Sequence, residues 1–372
     1  MKLIKYMKTL LFTLEYPPFK GGIANYYGNL AKYWPISDEL KILDNNKNEL
    51  IKIEKNGFMS WWPSVLAFKR KYEKEKPDYI LVGQILPLGT VVYFWSFFKP
   101  IKYGIFLHGM DFAYALKTPW KKFLACLILA RADKIISANS YVASKVNEFD
   151  KNFESKTEVI NPGVVSSAPI IKEEELVYLR NQYNLEGKTV LFSIGRLVKR
   201  KGVDRVIEAM RQLPEEDLAN LVYFVAGEGV EEKYLRELVP FRYAKKIIFL
   251  GKLTEDEKWL WLTLCDIFIM PARDVAGDYE GFGIVYLEAN LCAKPVIAGD
   301  VGGVRDAVVD NYNGLLIDSE KVDEIINAIK KLATDPILRN ILGKQGRARA
   351  VKDFNWEKQV SRLVKIISQS QE

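Results

Sequence analysis

The sequence predicts an α/β protein of two doubly wound, mostly parallel sheets, and three observations carry that reading. Apolar runs of strand length alternate with amphipathic segments of helix length almost from end to end, as in parallel sheets covered by helices. The 372 residues are enough for two domains, each with its own core. Near the middle, Asn161-Pro162-Gly163 interrupts the alternation, and a polar, acidic stretch runs to Glu175 before a second series of strands begins.

In the first domain, residues 1–165, the strands read as Leu10–Thr13, Leu40–Leu43, Leu50–Ile53, Tyr79–Val82, Tyr103–Leu107, Lys134–Ser137 and Glu158–Ile160. Helices fill the gaps, among them Ile23–Tyr33 and Trp120–Ala130. The apolar run at Thr9–Phe12 ends in Glu15-Tyr16-Pro17-Pro18 without a small-residue cleavage site, so it reads as a first buried strand and not as a secretion signal. Tyr79–Phe98 carries no charge over 20 residues, long enough to cross a bilayer. Gly83, Gln84, Pro87 and Gly89 break it into a strand, a loop and a helix over Leu88–Phe98. Residues 166–185 read as a linker. The second domain, residues 186–353, has strands at Thr189–Ile194, Val222–Ala226, Ile247–Leu250, Ile267–Met270, Pro295–Ala298 and Gly314–Ile317. Helices at Lys321–Ala333 and Pro336–Val351 follow, and a last one, within 354–372, is expected to pack back on the first domain. In such sheets ligands sit beyond the carboxyl ends of the strands, so the site is expected in a cleft between two facing domains.

Composition narrows the function. With 49% hydrophobic and 27% charged residues the chain is globular. Cys126, Cys265 and Cys292 lie scattered in apolar runs, as reduced thiols of a cytoplasmic protein do. No Cys-x-x-Cys pair exists and there is one histidine, which argues against zinc. Residues 1–165 hold 24 Lys+Arg against 15 Asp+Glu, whereas the remainder holds 30 against 32. Lys69-Arg70-Lys71 and Lys121-Lys122 stand near Trp61-Trp62, Phe94-Trp95 and Trp120 in the basic half. That mixture suits weak peripheral association with an anionic membrane, at the inner face of the cell membrane, and suits equally a solvated lysine-rich face. No nucleic-acid motif accompanies the charge.

Five clusters at strand ends could carry chemistry. Gly21-Gly22-Ile23 follows the first strand and opens a helix, where amides can approach a phosphate, or where an ordinary loop turns. Ser193–Gly202 sets Arg196, Lys199, Arg200 and Lys201 at one strand-to-helix turn, and a diphosphate needs several fixed cations. In the stretch Tyr279–Ala289, Gly281 and Gly283 turn into a helix beginning near Ile284. The amides of Phe282, Gly283 and Ile284 suit phosphate oxygens. Glu280 stands before that helix and Glu288 one turn inside it, beside the apolar stripe of Ile284, Leu287 and Leu291; two carboxylates can hold hydroxyl pairs. His108, in Phe106-Leu107-His108-Gly109, ends a strand and is either a hydroxyl-binding imidazole or a structural residue. Ala226-Gly227-Glu228-Gly229 lacks the third glycine of a dinucleotide fingerprint, and Gly299-Asp300-Val301-Gly302-Gly303 indicates a tight turn.

Taken in order, these clusters resemble the family 4 retaining glycosyltransferases, also called group 1, which have two Rossmann-like domains facing across a cleft, the GT-B fold. Val159-Ile160-Asn161-Pro162-Gly163-Val164, Phe249-Leu250-Gly251, Pro295-Val296-Ile297-Ala298 and the Glu280…Glu288 pair extend the match through most of the chain. The stretch from Met270-Pro271-Ala272-Arg273 to Glu288 is similar to bacterial mannosyltransferases that use GDP-mannose. The resemblance implies a hexosyl transfer, mannose favoured, from a nucleotide diphosphate sugar, GDP-mannose or a UDP-sugar, to a glycan or lipid-linked glycan. It implies no cofactor and no metal, in keeping with the lack of an Asp-x-Asp motif. It also assigns roles. Arg196 and Lys201 would bind the diphosphate, with Gly22, beside Gly21, approaching it. Glu288 would hold the ribose hydroxyls, Glu280 would face the sugar, and His108 would lie near its O6. The loop Leu250-Gly251-Lys252-Leu253 would meet the base. One departure stands out, a longer and flexible-looking insert over Arg273–Asp278 just before Glu280. Two other readings share the architecture, a sugar-nucleotide epimerase and a non-catalytic partner subunit. The first needs further acid/base residues, and the second would be favoured by loss of Arg196, Lys201 or Glu288, all of which are present.

Overall fold

The computed structural model describes residues 7–51 and 58–370. The chain forms two compact units, Met1–Gly163 with Trp356–Glu372, and Val164–Asn355. The first holds β1 (Lys8–Phe12), β2 (Glu39–Leu43), β3 (Tyr79–Val82), β4 (Lys102–Leu107), β5 (Lys134–Ser137) and β6 (Thr157–Val159). They pair in parallel in the order β2-β1-β3-β4-β5-β6. Alternate residues feed two cores. Leu10, Phe12, Ile80, Val82, Ile105 and Leu107 face one, and Leu11, Tyr79, Leu81, Phe106 and Ile136 face the other. This two-sided burial is why the strands read as continuous apolar runs. The second core is closed by the helix Gly22–Lys32, through Tyr26, Tyr27 and Leu30, and by the terminal helix Trp356–Gln369, through Trp356, Val360, Leu363 and Ile367.

The second unit holds β7 (Thr189–Ile194), β8 (Leu221–Ala226), β9 (Ile247–Gly251), β10 (Ile267–Met270), β11 (Val296–Gly299) and β12 (Gly314–Ile317). Its order, β12-β11-β10-β7-β8-β9, sets its first and fourth strands side by side. Chains leaving β7 and β10 turn to opposite faces, so a crevice opens at their carboxyl ends. In the first unit the corresponding switch lies between β1 and β3.

Three expectations change. Leu50 and Ile51 lie in no strand, and residues 52–53 of that expected strand lie outside the described residues. The helix expected over Leu88–Phe98 is shorter: Ile85–Gly89 is a wide turn, the helix is Thr90–Trp95, and the chain then tightens, Phe97 N donating to the Phe94 carbonyl at 3.2 Å and Phe98 N to that of Trp95 at 3.0 Å. Within residues 166–185, Glu173–Gln182 is a helix, and Leu176, Leu179 and Tyr183 pack against the second unit's core. Its polar composition hides three apolar contacts.

One glycine fixes how closely the β7 and β10 loops approach. Gly202 has φ 74°, and a Cβ there would fall 2.0 Å from the Pro271 carbonyl oxygen. Gly202→Ala should therefore lower stability by about 1–3 kcal/mol, the usual cost of a strained backbone. Urea unfolding measures it, and an unchanged midpoint would show that the loops have slack.

Candidate functional site

In the second unit, the loop after β7 carries Arg196, Lys199, Arg200 and Lys201, and the loop after β10 runs from Pro271 to Gly283. They meet on one carboxylate. Glu280 Oε2 accepts from Lys201 Nζ and from Arg200 Nη1, each at 2.6 Å. The Arg200 and Lys201 side chains are 13% exposed and that of Glu280 10%. Burial alone would raise the Glu280 carboxyl, but Lys201 and Arg200 outweigh it and hold it below the usual carboxylate range. Glu280 is thus an ionised acceptor. Its backbone is seated from the other side: Gly303 N donates to its carbonyl at 3.2 Å, and a Cβ at Gly302 would lie 2.4 Å from that oxygen. The Gly302-Gly303 turn therefore positions Glu280, a role that the sequence does not announce.

The insert before Glu280 is not loose. Asp278 ion-pairs with Arg200 at 3.1 Å, Arg273 Nη2 donates to Asp204 at 2.6 Å, and Gly277 N donates to Asp274 Oδ1 at 2.6 Å. A flexible-looking sequence closes into a tied turn because its charges find partners elsewhere in the unit. Arg196 and Lys199 differ from Arg200 and Lys201: both are exposed and in no ion pair among the described residues, so Arg196 is free to meet an anion.

The helix Ile284–Leu291 starts directly after this loop. The amides of Phe282, Gly283, Ile284 and Val285 have no intramolecular acceptor among the described residues, as the first turn of a helix leaves them. The helix dipole adds positive potential there. Phe282 buries its ring against Phe354, and Ile284 is exposed. One turn in, Glu288 Oε1 accepts from Lys258 Nζ at 2.7 Å, and Lys258 also reaches Glu255 at 2.6 Å. Burial pushes the Glu288 carboxyl up, and Lys258 opposes the shift. In the loop ending β9, Leu250 and Leu253 pack on the core, Lys252 is exposed, and the Gly251 carbonyl accepts from Gly227 N at 2.7 Å. A separate recess of about 490 Å³ beyond β10–β12 is lined by Arg273, Asp300, Asp318, Glu320 and Glu324. Its acids are already paired with Arg305, Lys321 and Arg205, which leaves little charge for a ligand.

In the first unit, Gly21 precedes and Gly22 begins the helix Gly22–Lys32; a Cβ on Gly22 would meet nothing within 4 Å, so the fold leaves open space there. His108 follows β4, its ring parallel to Phe106 and edge-on to Tyr26 and Tyr27. Tyr27 Oη donates to the Gly83 carbonyl at 2.8 Å and also contacts His108 Nε2 at 2.8 Å. The hydroxyl has one proton, already directed at Gly83, so Nε2 must carry the imidazole hydrogen and Nδ1 is left as an acceptor. Burial lowers the imidazole to about 4, so it is neutral. Asp111 Oδ1 accepts from the His108 and Gly109 amides, each at 2.9 Å, and burial raises this carboxyl to about 6 against those bonds.

The structure thus joins Lys201 to Glu280 and adds Arg200, Lys258 and Tyr27, partners that the sequence reading missed. Each lies 30 or more residues from its mate. Only the crowding of cations at 199–201 hinted at one of them.

Comparison with known proteins follows the same lines. The family "Glycosyl transferases group 1" matches residues 178–349. An uncharacterized glycosyltransferase of Methanocaldococcus jannaschii is 30% identical over 375 residues, 97% of each chain. The GDP-mannose-dependent alpha-(1-6)-phosphatidylinositol monomannoside mannosyltransferase of Mycolicibacterium smegmatis is 26% identical over 377 residues, covering 96% of this chain and 98% of its own. The crystal structure of Anabaena HepE in complex with UDP superposes with a TM-score of 0.77 at 19% identity, covering 98% of this chain and all of its own, a likeness of fold.

His108 is the sole histidine, so its ionisation can be read directly by NMR. It should stay neutral between about pH 5 and 8, with the proton on Nε2, and Tyr27→Phe should abolish that tautomer preference. Stability linked to His108 is complete above 6.5 and is lost as pH falls toward 4. Asp111, raised from 3.8 to about 6, acts oppositely, stabilising at low pH and losing that contribution as pH rises through about 6. The two therefore largely cancel between those limits. A midpoint near 6.5 for His108 would refute the buried, Tyr27-bonded geometry.

Proposed function

The chain belongs to the group 1 glycosyltransferases, with the GT-B fold, and we propose that within this family it transfers a hexosyl group, mannose favoured, from a nucleotide diphosphate sugar to a glycan or lipid-linked glycan. The observation that carries the reading is the Lys201–Arg200–Glu280 cluster at the crevice of the second unit, beside free Arg196 and an open helix N-terminus. Breaking the bond between the sugar's anomeric carbon and the phosphate oxygen leaves negative charge on the diphosphate. Arg196, Lys201 and the amides of Phe282–Ile284 would stabilise that charge without a metal. Glu280, ionised, would accept hydrogen bonds from the donor sugar, and Glu288 would hold the ribose hydroxyls. His108 would offer Nδ1 to a sugar hydroxyl. Retention would follow from attack on the face the phosphate leaves, the phosphate oxygen taking the acceptor's proton. The mycobacterial relative, named as GDP-mannose-dependent, supports the guanine nucleotide, while the UDP complex of HepE keeps a UDP-sugar as the alternative.

We also propose peripheral contact with an anionic membrane through the first unit. Among the described residues no helix is long and apolar enough to cross a membrane. Trp61 and Trp95 turn inward onto the core. Trp62, Leu66, Phe94, Phe97, Phe98, Trp120 and Phe123 are exposed, on or next to helices (Phe58–Glu75, Thr90–Trp95 and Pro119–Arg131) that pack on one another. The Arg131 guanidinium lies 4.4 Å from the Phe97 ring centre. Lys69 and Lys71 are partly spent on Glu73 and Glu75, so aromatic insertion outweighs the charge count.

The donor reading is tested by thermal shift and by transfer assays in EDTA. The correct nucleotide at 100 times its dissociation constant should stabilise the fold by about 2.7 kcal/mol. Arg196→Ala should weaken donor use by roughly 1.5–3 kcal/mol, the value of a charge-assisted hydrogen bond. Unaltered kinetics in that variant, or rate lost in EDTA and restored by a divalent ion, would defeat the leaving-group assignment.

Co-sedimentation with anionic vesicles should show binding that weakens as salt screens the lysines over roughly 8 Å. A salt-resistant remainder should vanish in Phe97→Ser/Phe98→Ser/Phe123→Ser. Failure of the wild type to pellet even at low salt would point to a soluble acceptor instead.

A further inference from the structure

We propose that Lys258 is a positioning residue for the donor: its ammonium pins one oxygen of Glu288 and leaves the other turned out for the paired hydroxyls of the nucleotide's ribose. The inference rests on the reading of Glu288 as the ribose-holding carboxylate. Three features of the second unit carry it.

The first is geometry. Lys258 Nζ is 2.7 Å from Glu288 Oε1, and both side chains are nearly enclosed, 15% and 16% exposed. Among the described residues no hydrogen bond is made to Oε2, so the pair leaves one acceptor atom committed and one open. The second is rigidity. Lys258 sits one turn into the helix Glu255–Leu264, whose N-terminus is locked by Thr254 and Glu257 bonding each other's backbone amides. That cap directly follows Leu250-Gly251-Lys252-Leu253, so Lys258 joins the loop expected to meet the base to the carboxylate expected to meet the sugar of the same nucleotide. The third is electrostatics. A buried carboxylate prefers its proton, and a protonated acid accepts fewer hydrogen bonds than a vicinal diol can donate. Lys258 opposes that preference, while Glu255, bonded to the far side of Lys258, adds to it. Just past the end of the helix Ile284–Leu291, Cys292 is also near Glu288; Arg347, on the packed helix Pro336–Asp353, acts on that thiol. Lys258 and Glu255 are the charged groups that act on Glu288 itself.

Calorimetric titration of the full-length protein with GDP and with UDP, across pH, tests this. Lys258→Gln should weaken binding of the preferred nucleotide roughly tenfold near neutrality, the size of one charge-assisted bond. It should also move the acid limb of the affinity profile to higher pH, and raise donor KM more than it lowers kcat. Lys258→Arg should restore most of the affinity. Glu255→Gln, at a side chain 71% exposed, should move the limb the opposite way, and it serves if Lys258→Gln does not fold. In a Glu288→Gln background neither change should have further effect. If Glu288→Gln binds nucleotide like the wild type, the ribose assignment itself fails. If Glu288→Gln weakens binding and Lys258→Gln or Glu255→Gln shifts no limb, or Lys258→Gln costs as much without Glu288, the positioning role is overturned.

Discussion

A carboxylate with only 10% of its side chain in solvent, accepting from two cations at one oxygen, is the constraint on which the second unit turns. Removing a carboxylate from water costs several kcal/mol unless partners meet it with good geometry. Glu280 gets them only because the sheet order sets β7 beside β10, so that two loops 80 residues apart in sequence converge. Convergence in turn needs the backbone contacts at Gly202 and Gly302, where any side chain would strike a carbonyl oxygen. Tyr286 adds a bond from its hydroxyl to the Met270 carbonyl at 2.6 Å, holding the helix Ile284–Leu291 to the end of β10. Glycines that look like simple turn residues therefore serve a charge cluster.

The first unit solves the opposite problem. Around His108 the surroundings are aromatic, and burial there removes charge, leaving a neutral imidazole whose tautomer is set by Tyr27. Tyr27 also ties the end of β3 to the end of β4. One unit presents fixed ions and helix amides, which suit phosphates, and the other a neutral acceptor, which suits hydroxyls. The basic surplus of residues 1–165 is thus not concentrated at its strand-end site; Lys69, Lys71, Lys121 and Arg131 lie on the helices and serve surface pairs and ring contacts.

What the sequence made legible is local. Runs such as Tyr79–Val82 and Ile267–Met270 match their strands because burial on both faces leaves a continuous apolar signal. The strand-to-helix turns at Gly195–Gly202 and Gly281–Gly283 were readable because glycine and clustered cations stand out. Partner choice was not readable. Nothing near Arg200 says that it, and not Lys199, will reach Glu280, and nothing near Glu288 names Lys258, because those choices depend on strand order and helix phase. The insert over Arg273–Asp278 misled for the same reason: glycine and aspartate resemble loop composition until Arg200 and Asp204 arrive from elsewhere. The polar helix Glu173–Gln182 was hidden because only Leu176 and Leu179 of its residues, with Tyr183 just beyond it, touch the core.

The two carboxylates of the second unit, eight residues apart, are pushed in opposite directions by their settings. Glu280 has two cations and is held below the usual carboxylate range, whereas Glu288 has one, shared with Glu255, and is raised. Environments that separate like groups in this way usually mark a division of labour. If each carboxylate holds a different hydroxyl pair of one donor, acid disturbs them in sequence: Glu288 takes up a proton first and can no longer accept both hydroxyls, while Glu280 still can. The nucleotide end of the donor would loosen before the sugar end. Such an enzyme would lose donor affinity in acid while keeping its sugar-facing charge cluster intact, because Lys201 and Arg200 hold Glu280 ionised at a pH where Glu288 has already taken up its proton.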